Sequence, residues 1–234
     1  MLICAIDTSG REGSLALAEG DKCSFEVLHL APIAGGTYSA QLIPTLSHAL
    51  AKTGKRKSEI GLLVVASGPG SFTGLRVGIS TVKALSDVMQ VPVVAISVLE
   101  AIAFTAKRQG IVFAALDAQR NEVYVGEYEG ANPNSIKNLN EALTPVPDFL
   151  KWLNARHPVP VTYTPDFTVE ESIQRAGLPA EHISRPKADL YAQFGLCKYF
   201  AGEIVSIETL DANYIRRSDA ELFSAPKLGI ENKS

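Results

Sequence analysis

Apolar residues in the opening stretch of the chain come in short runs divided by polar, glycine-bearing turns. Leu2–Asp7 is a continuous apolar run that stops at an acid, Ser14–Ala18 alternates, and Lys22–Leu30 follows the turn at Gly20-Asp21. This pattern predicts an antiparallel meander of three strands. Beyond Gly35-Gly36, the residues Leu42, Leu46, Ala49 and Leu50 recur at helical spacing up to Gly54. Pro44 falls inside that segment. Proline is tolerated in a first turn but costs about 3 kcal/mol in a helix interior, so the helix is expected to start near Leu42 or to bend there. Ile60–Ala66 reads as a buried strand, Leu75, Ile79, Val82, Leu85 and Met89 as the core stripe of a second helix, and Val91–Ile96 as another strand. Ser97 followed by Glu100 has the form of a capping box opening a third helix that runs to about Lys107.

The second half repeats the opening. Ile111–Asp117 and Glu122–Glu129 pair around Ala118-Gln119-Arg120-Asn121, and Asp117 ends its strand as Asp7 ends the first, as a duplicated unit would show. Residues 130–147 are polar and weakly periodic, so they are expected to be irregular. Helices are predicted over Asp148–Arg156, Val169–Ala176 and Lys187–Gly202, with a strand at Pro158–Tyr163. A last extended piece at Leu210–Ile215 precedes a polar, frayed tail from Ser218.

The segment from Leu62 to Gly78 holds the chemistry. A strand that ends in glycines and feeds a helix lets backbone N–H groups approach a phosphate, a carboxylate or a packed neighbour. No Gly-Lys-Ser/Thr closes this loop, and glycines at 68, 70, 74 and 78 do not make the dinucleotide fingerprint. Gly70, Gly74 and Gly78 recur every four residues, beside the apolar stripe. Such a smooth strip suits a helix partner. Packing of the helix onto its own sheet accounts for the same spacing equally well. Ser71 and Thr73 are helix N-cap candidates, and Gly68-Pro69-Gly70-Ser71-Phe72 lacks the form of a nucleophile elbow, so Ser71 is not read as a hydrolase nucleophile. After Asp7, the run Thr8-Ser9-Gly10-Arg11-Glu12-Gly13 keeps hydroxyls but places Glu12 where it would repel phosphate. Asp7 therefore reads as a turn-former through its side chain, and Asp117 likewise.

Charge and cysteine usage narrow the class. Hydrophobic residues make up 46% of the 234 positions and charged residues 20%, with a formal net charge of -3. That is globular composition with no basic excess of the kind nucleic-acid binding needs. Lys55-Arg56-Lys57 is read as a solvated turn after Gly54. Cys4, Cys23 and Cys197 form no Cys-x-x-Cys pair, which points to reduced thiols rather than zinc or a disulfide framework. No signal peptide or run of transmembrane length is evident, so a soluble cytoplasmic protein is expected.

Ile6-Asp7-Thr8-Ser9, the Gly68–Gly78 run, Leu116–Tyr124 and Tyr214-Ile215-Arg216 together resemble the TsaB (also called YeaZ) family of bacterial tRNA threonylcarbamoyladenosine biosynthesis subunits. The resemblance implies the actin/Hsp70/sugar-kinase (ASKHA) α/β fold, with two related domains and mixed sheets. It divides the chain into 1–108, carrying a partner interface, 109–218, a reduced counterpart, and a polar tail at 219–234. It implies a non-catalytic scaffold subunit needed to form N6-threonylcarbamoyladenosine in tRNA. That subunit binds and activates a paralogous catalytic TsaD-type subunit, works with a TsaE-type ATPase, homodimerises when alone, and meets tRNA only through the complex and no membrane.

In such a protein the first two helices form the pairing face, which assigns Tyr38, Leu42, Leu46, Gly70, Thr73, Gly74, Arg76, Val77 and Gly78 to the interface. Burial of Leu42, Leu46, Leu75 and Ile79 beside the glycines would drive association, and Gly74→Leu would block pairing without unfolding the chain. Arg76 would face a partner or solvent. Asp7, Thr8 and Ser9 become a vestigial nucleotide loop. No resident cofactor, catalytic residue or metal is expected, with ATP or ADP plus magnesium at a subunit interface left open. The catalytic paralogue holds a metal through His-x-x-x-His; here His29, His48, His157 and His182 form no i,i+3 or i,i+4 pair. Tyr38-Ser39 stands where many members carry His-Ser, and Tyr214, Arg216 and Arg217 are expected to tie the tail to the first domain. The competing readings are an ATP-dependent small-molecule kinase of the same fold and a metalloprotease, which the missing histidine pair disfavours.

Overall fold

The structure, a computed structural model, describes residues 1–132, 135–213 and 215. The predicted meander forms as β1 (Leu2–Asp7), β2 (Glu12–Gly20) and β3 (Phe25–Ala34). β4 (Ile60–Gly68) and β5 (Val93–Ser97) add in parallel, giving a mixed sheet of order β3-β2-β1-β4-β5. The second sheet contains β6 (Gly110–Gln119), β7 (Glu122–Asn132), β8 (Ser135–Pro145), β9 (Thr162–Thr164) and β10 (Ala180–His182). Its order, β10-β9-β6-β7-β8, repeats the first arrangement strand for strand, two antiparallel neighbours and then two parallel ones. Asp7 ends β1, whereas β6 runs past Asp117 to Gln119; the two hairpins are the matching first hairpins of two like units.

Each sheet is covered on both faces, which explains the uninterrupted apolar runs of its central strands. α1 (Tyr38–Thr53) and α2 (Phe72–Met89) pack on one face of the first sheet, against Cys4, Ile6, Leu63 and Val65. α4 (Val146–Asn154) and α5 (Phe167–Arg175) take the corresponding face of the second, against Phe113, Ala115, Val123 and Val125. The remaining helices are exchanged. α3 (Val98–Thr105) packs on β6, β7 and β8, whereas α6 (Ala188–Phe200) packs on β1, β2, β4 and β5. They meet at the centre, where Phe104 stacks on Phe194 with ring centroids 4.2 Å apart and Lys198 pairs with Glu100 at 2.7 Å. We propose that the domain boundary lies between α3 and β6, near residue 108, with α3 and α6 each docked on the other unit's sheet.

Several local expectations are corrected. α1 begins at Tyr38, and Pro44 sits in its second turn with its ring on the exposed side. Ser97 makes no side-chain cap on α3, and Glu100 pairs with Lys198 rather than reaching back to the Ser97 N–H. The stretch expected to be irregular contains β8, which pairs with β7 along its length; it is polar because it is a sheet edge. The strand expected from Pro158 shrinks to Thr162–Thr164, and β10 forms where no strand is predicted. Over 210–213 and 215 no strand forms, though Asn213 donates its N–H to the Ser67 carbonyl and its side-chain amide to Glu141 (2.7 and 2.6 Å). Tyr214, Arg216, Arg217 and the tail lie outside the described residues. Lys55 and Arg56 are paired with Glu19 and Glu59 at 2.5 and 3.2 Å, consistent with a solvated turn. Among the described residues no helix is long and apolar enough to cross a membrane.

Candidate functional site

The β1–β2 turn is built as its sequence implied. Asp7 Oδ1 accepts from the Ser9 N–H at 2.9 Å and from Ser9 Oγ at 2.6 Å, an Asx-type turn. Thr8 Oγ1 donates to the Gly74 carbonyl at 2.7 Å, and the Ser71 N–H donates to the Ser9 carbonyl at 2.7 Å. Ser71 Oγ caps α2 by accepting from the Gly74 N–H. In the second unit Asp117 Oδ1 accepts from the Gln119 N–H at 2.7 Å, and the Asp117 N–H donates to Asp166 Oδ2 at 2.7 Å. The two hairpins face each other across a cleft of about 990 Å³, lined by Ser9, Glu12, Ser71, Asp117, Asp166 and Arg185 among others.

The cleft is poorly equipped to hold phosphate. The Ser9 N–H and hydroxyl and the Thr8 hydroxyl are engaged within the chain, and the carboxylates of Glu12, Asp117 and Asp166 share the lining with Arg11 and Arg185. Burial raises the Asp7 pKa, opposed by the Ser9 bonds and then by the Arg185 charge. Such a group favours folding below the ordinary aspartate pKa of about 4 and costs stability once pH has risen through its raised folded value. Asp7→Asn keeps an acceptor for Ser9 and removes the buried charge. It is expected to melt higher than wild type at about pH 8, with the gain gone by about pH 3, in a thermal melt series across pH.

The glycine strip resolves in favour of internal packing. A Cβ on Gly70 would run into the Ser9 carbonyl, one on Gly74 into the Thr8 carbonyl, and one on Gly78 into Thr8 Oγ1. The strip lets α2 lie on the β1–β2 turn. Tyr38 fills the adjoining space, its ring against the Cα positions of Gly13 and Gly74 and its hydroxyl donating to the Gly10 carbonyl at 2.9 Å. The residues assigned to the interface divide by burial. Tyr38, Leu42, Leu46, Gly74 and Gly78, with Leu75 and Ile79, are buried in the chain's own core. Thr73 and Arg76 are exposed, Val77 is half-buried, and Gly70 is exposed at the cleft.

The surface that α1 and α2 do offer lies on their opposite sides. α1 presents Ala40, Ile43, Pro44, Ser47 and Ala51, with Ser39, His48 and Lys52 also exposed; α2 presents Thr73, Arg76, Ser80, Ala84 and Asp87, flanked by Phe72 and Val88. Ile43 is 49% and Val88 80% exposed, and the Arg76 guanidinium stacks 3.9 Å over the Phe72 ring. The duplicated unit supplies an internal control. The outer sides of α4 and α5 carry the ion pairs Asp148–Lys151 and Glu171–Arg175, at 3.4 and 2.6 Å, as a solvated helix face should. Spacing could have revealed the α1–α2 face, since 73, 76, 80, 84 and 87 share one helical stripe opposite the apolar one. His29 and His48 approach across β3 and α1 with ring centroids 6.4 Å apart, a pairing that spacing within one helix could not disclose. Among the described residues no group of three or more His, Cys, Asp or Glu side chains could hold a metal ion.

Comparison with known proteins agrees with this architecture. The family model described as TsaD, tRNA N6-adenosine threonylcarbamoyltransferase, matches residues 32–201. The tRNA threonylcarbamoyladenosine biosynthesis protein TsaB of Bacillus subtilis is 27% identical over 231 residues, covering 94% of this chain and 96% of that one. The solved structure of YeaZ from Pseudomonas aeruginosa superposes with a TM-score of 0.71 at 24% identity, over 91% of this chain and 100% of that chain. At the level of fold alone, the ROK hexokinase of Thermus thermophilus superposes with a TM-score of 0.52 at 11% identity, over 86% of this chain and 100% of that one, which places the two mixed-sheet units in the ASKHA class. The family-model match over most of the chain and the full-length likeness to TsaB lead to one assignment: the chain belongs to the TsaB (YeaZ) family.

Proposed function

We propose that this protein serves tRNA threonylcarbamoyladenosine biosynthesis as a non-catalytic partner subunit, binding and activating a TsaD-type catalytic paralogue through the outer face of α1 and α2. The observation that carries the reading is the contrast between the two units. The outer helix face of the second unit carries the ion pairs Asp148–Lys151 and Glu171–Arg175, whereas in the first the charges of Lys52, Arg76, Lys83 and Asp87 are spread among small and apolar exposed residues such as Ala40, Ile43, Ala84 and Val88. Surfaces depleted of charge and enriched in small and apolar residues at the centre of a patch mark protein interfaces.

The size fits as well. α1 has 16 residues and α2 has 18, so each is about 25 Å long at 1.5 Å per residue. Side by side, about 10 Å apart, they present on the order of 500 Å² in projection, close to one side of a standard interface of about 800 Å² per partner. A paralogue matched by the same family model would present the same two helices, so the two can meet about a pseudo-two-fold axis. A second copy of this chain uses the same face when the paralogue is absent, and a TsaE-type ATPase completes the assembly.

Reconstitution tests the reading. The catalytic paralogue, the ATPase, threonylcarbamoyl donor and unmodified tRNA are combined with and without this chain. Modified adenosine is expected only when the chain is present, and none from the chain alone. Equal modification in its absence would refute the proposal.

A further inference from the structure

After α6 the chain returns across the first unit as a strap. The Val205 N–H donates to the Val93 carbonyl at 2.9 Å, on the edge strand β5. Val205, Ile207, Leu210 and Ala212 then pack into the core that α1 and α2 cover, so burial fixes the strap to the first unit. At its end the Asn213 N–H donates to the Ser67 carbonyl at 2.7 Å, and Pro69 and Gly70 just beyond Ser67 line the cleft. A Cβ on Gly68 would stand 3.2 Å from the Asn213 carbonyl oxygen, so the strap lies directly on the glycine loop. The Asn213 side chain crosses to the second unit. Its Nδ2 donates to Glu141 Oε2 at 2.6 Å, while Glu141 Oε1 accepts from the Tyr128 hydroxyl at 2.5 Å and from Asn138 Nδ2 at 3.3 Å. Tyr128 is fully buried in the central core, so it holds the Glu141 carboxylate in place. A carboxylate only accepts, which fixes the Asn213 amide with its NH2 toward β8.

We propose that Asn213 and Glu141 form a latch that sets the opening of the cleft between the two units. The units also meet where α3 and α6 cross, at the Phe104–Phe194 stack and the Lys198–Glu100 pair. Packed helices of this kind slide and turn by small amounts, so that crossing alone serves as a pivot. The strap adds a second attachment, at the end of β4, and two attachments resist a rotation that one permits. With the bond made, the second sheet is held to the glycine loop that feeds α2; with it broken, the second unit turns about the crossing while the strap stays on the first. The latch is independent of the pairing face, because the outer sides of α1 and α2 take no part in it.

Residual dipolar couplings of the full chain, measured by NMR, test this, because they report how the two units are oriented and how far each moves against the other; circular dichroism shows which variants fold. One alignment tensor is expected to fit both units of wild type. Asn213→Asp sets carboxylate against carboxylate, and the tensor fitted to the second unit is expected to shrink by at least about 20% relative to the first. Glu141→Gln alone is expected to behave as wild type, since the Asn213 amide can turn over and accept from the new N–H. Asn213→Asp combined with Glu141→Gln restores the bond with donor and acceptor exchanged, so a single tensor should return. A bond that only stabilises the fold would lower the melting temperature of Asn213→Asp and leave the tensors equal. Should Asn213→Asp not fold, Asn213→Ala carries the same test, with separate tensors expected. A wild type that needs two tensors, a folded Asn213 variant that fits one, or a double variant that stays split would each overturn the latch.

Discussion

Gly74→Leu is expected to unfold the first unit in mild denaturant, losing more than about 3 kcal/mol. Overpacking a well-filled site costs about 1–3 kcal/mol where side chains can shift. Here the obstacle is backbone, because the new Cβ would run into the Thr8 carbonyl oxygen, with Tyr38 closing the other side. Thr8 is fixed in its turn by the bonds of its neighbours Asp7 and Ser9, so relief requires lifting α2 off the sheet. That movement would also break the Thr8 hydroxyl bond to the Gly74 carbonyl and the Ser71 cap. Against a total stability of about 5–15 kcal/mol for an ordinary domain, the loss is large. Ala84→Leu, one helix face away and exposed, should stay within about 0.5 kcal/mol of wild type. Urea titration of both variants checks the contrast, and equal stability of the two would contradict the packing role of the strip.

Lys198→Met is expected to be the other severe change. Lys198 on α6 reaches Glu100 on α3 at 2.7 Å and Glu203 at 2.6 Å, joining the two exchanged helices. The Lys198 and Glu100 side chains are only 11% and 9% exposed, whereas Glu203 is largely in solvent, so the Glu100 contact dominates. Burial raises the Glu100 pKa and Lys198 opposes that rise; burial would lower Lys198, but the carboxylates outweigh it and hold it above its ordinary range. Removing one partner of a buried pair strands the other charge, typically at about 3–5 kcal/mol. Because the folded pKa of Glu100 is already raised, the deficit should be largest at neutral pH and shrink as acid protonates Glu100. Glu100→Gln combined with Lys198→Met should recover much of the loss. A deficit in the single variant that is flat with pH would argue against a stranded carboxylate as its cause.

What the sequence discloses follows what each element buries. β1, β4 and α2 are legible because burial on both sheet faces leaves unbroken apolar runs and an amphipathic helix leaves a clean stripe. β8 is not, because a solvent-facing edge strand keeps a polar composition. α3 is buried at Val98 through Phe104, which tells that it is enclosed but not by which sheet, so the helix exchange is invisible. The glycine spacing is the same whether the strip faces a partner or Thr8, and only the packed structure separates the two. Arg185 escaped notice because it reaches Ser9 across 176 residues of chain, with no local pattern to mark it.

The central claim is that the outer face of α1 and α2 binds a catalytic paralogue. It is tested most directly by calorimetric titration of the purified paralogue with wild type, with Ala84→Arg on that face, and with Lys151→Glu on the matching face of the second unit. The account predicts tight binding by wild type and Lys151→Glu and at least a thirtyfold loss, about 2 kcal/mol, for Ala84→Arg. Undiminished binding by Ala84→Arg would contradict it.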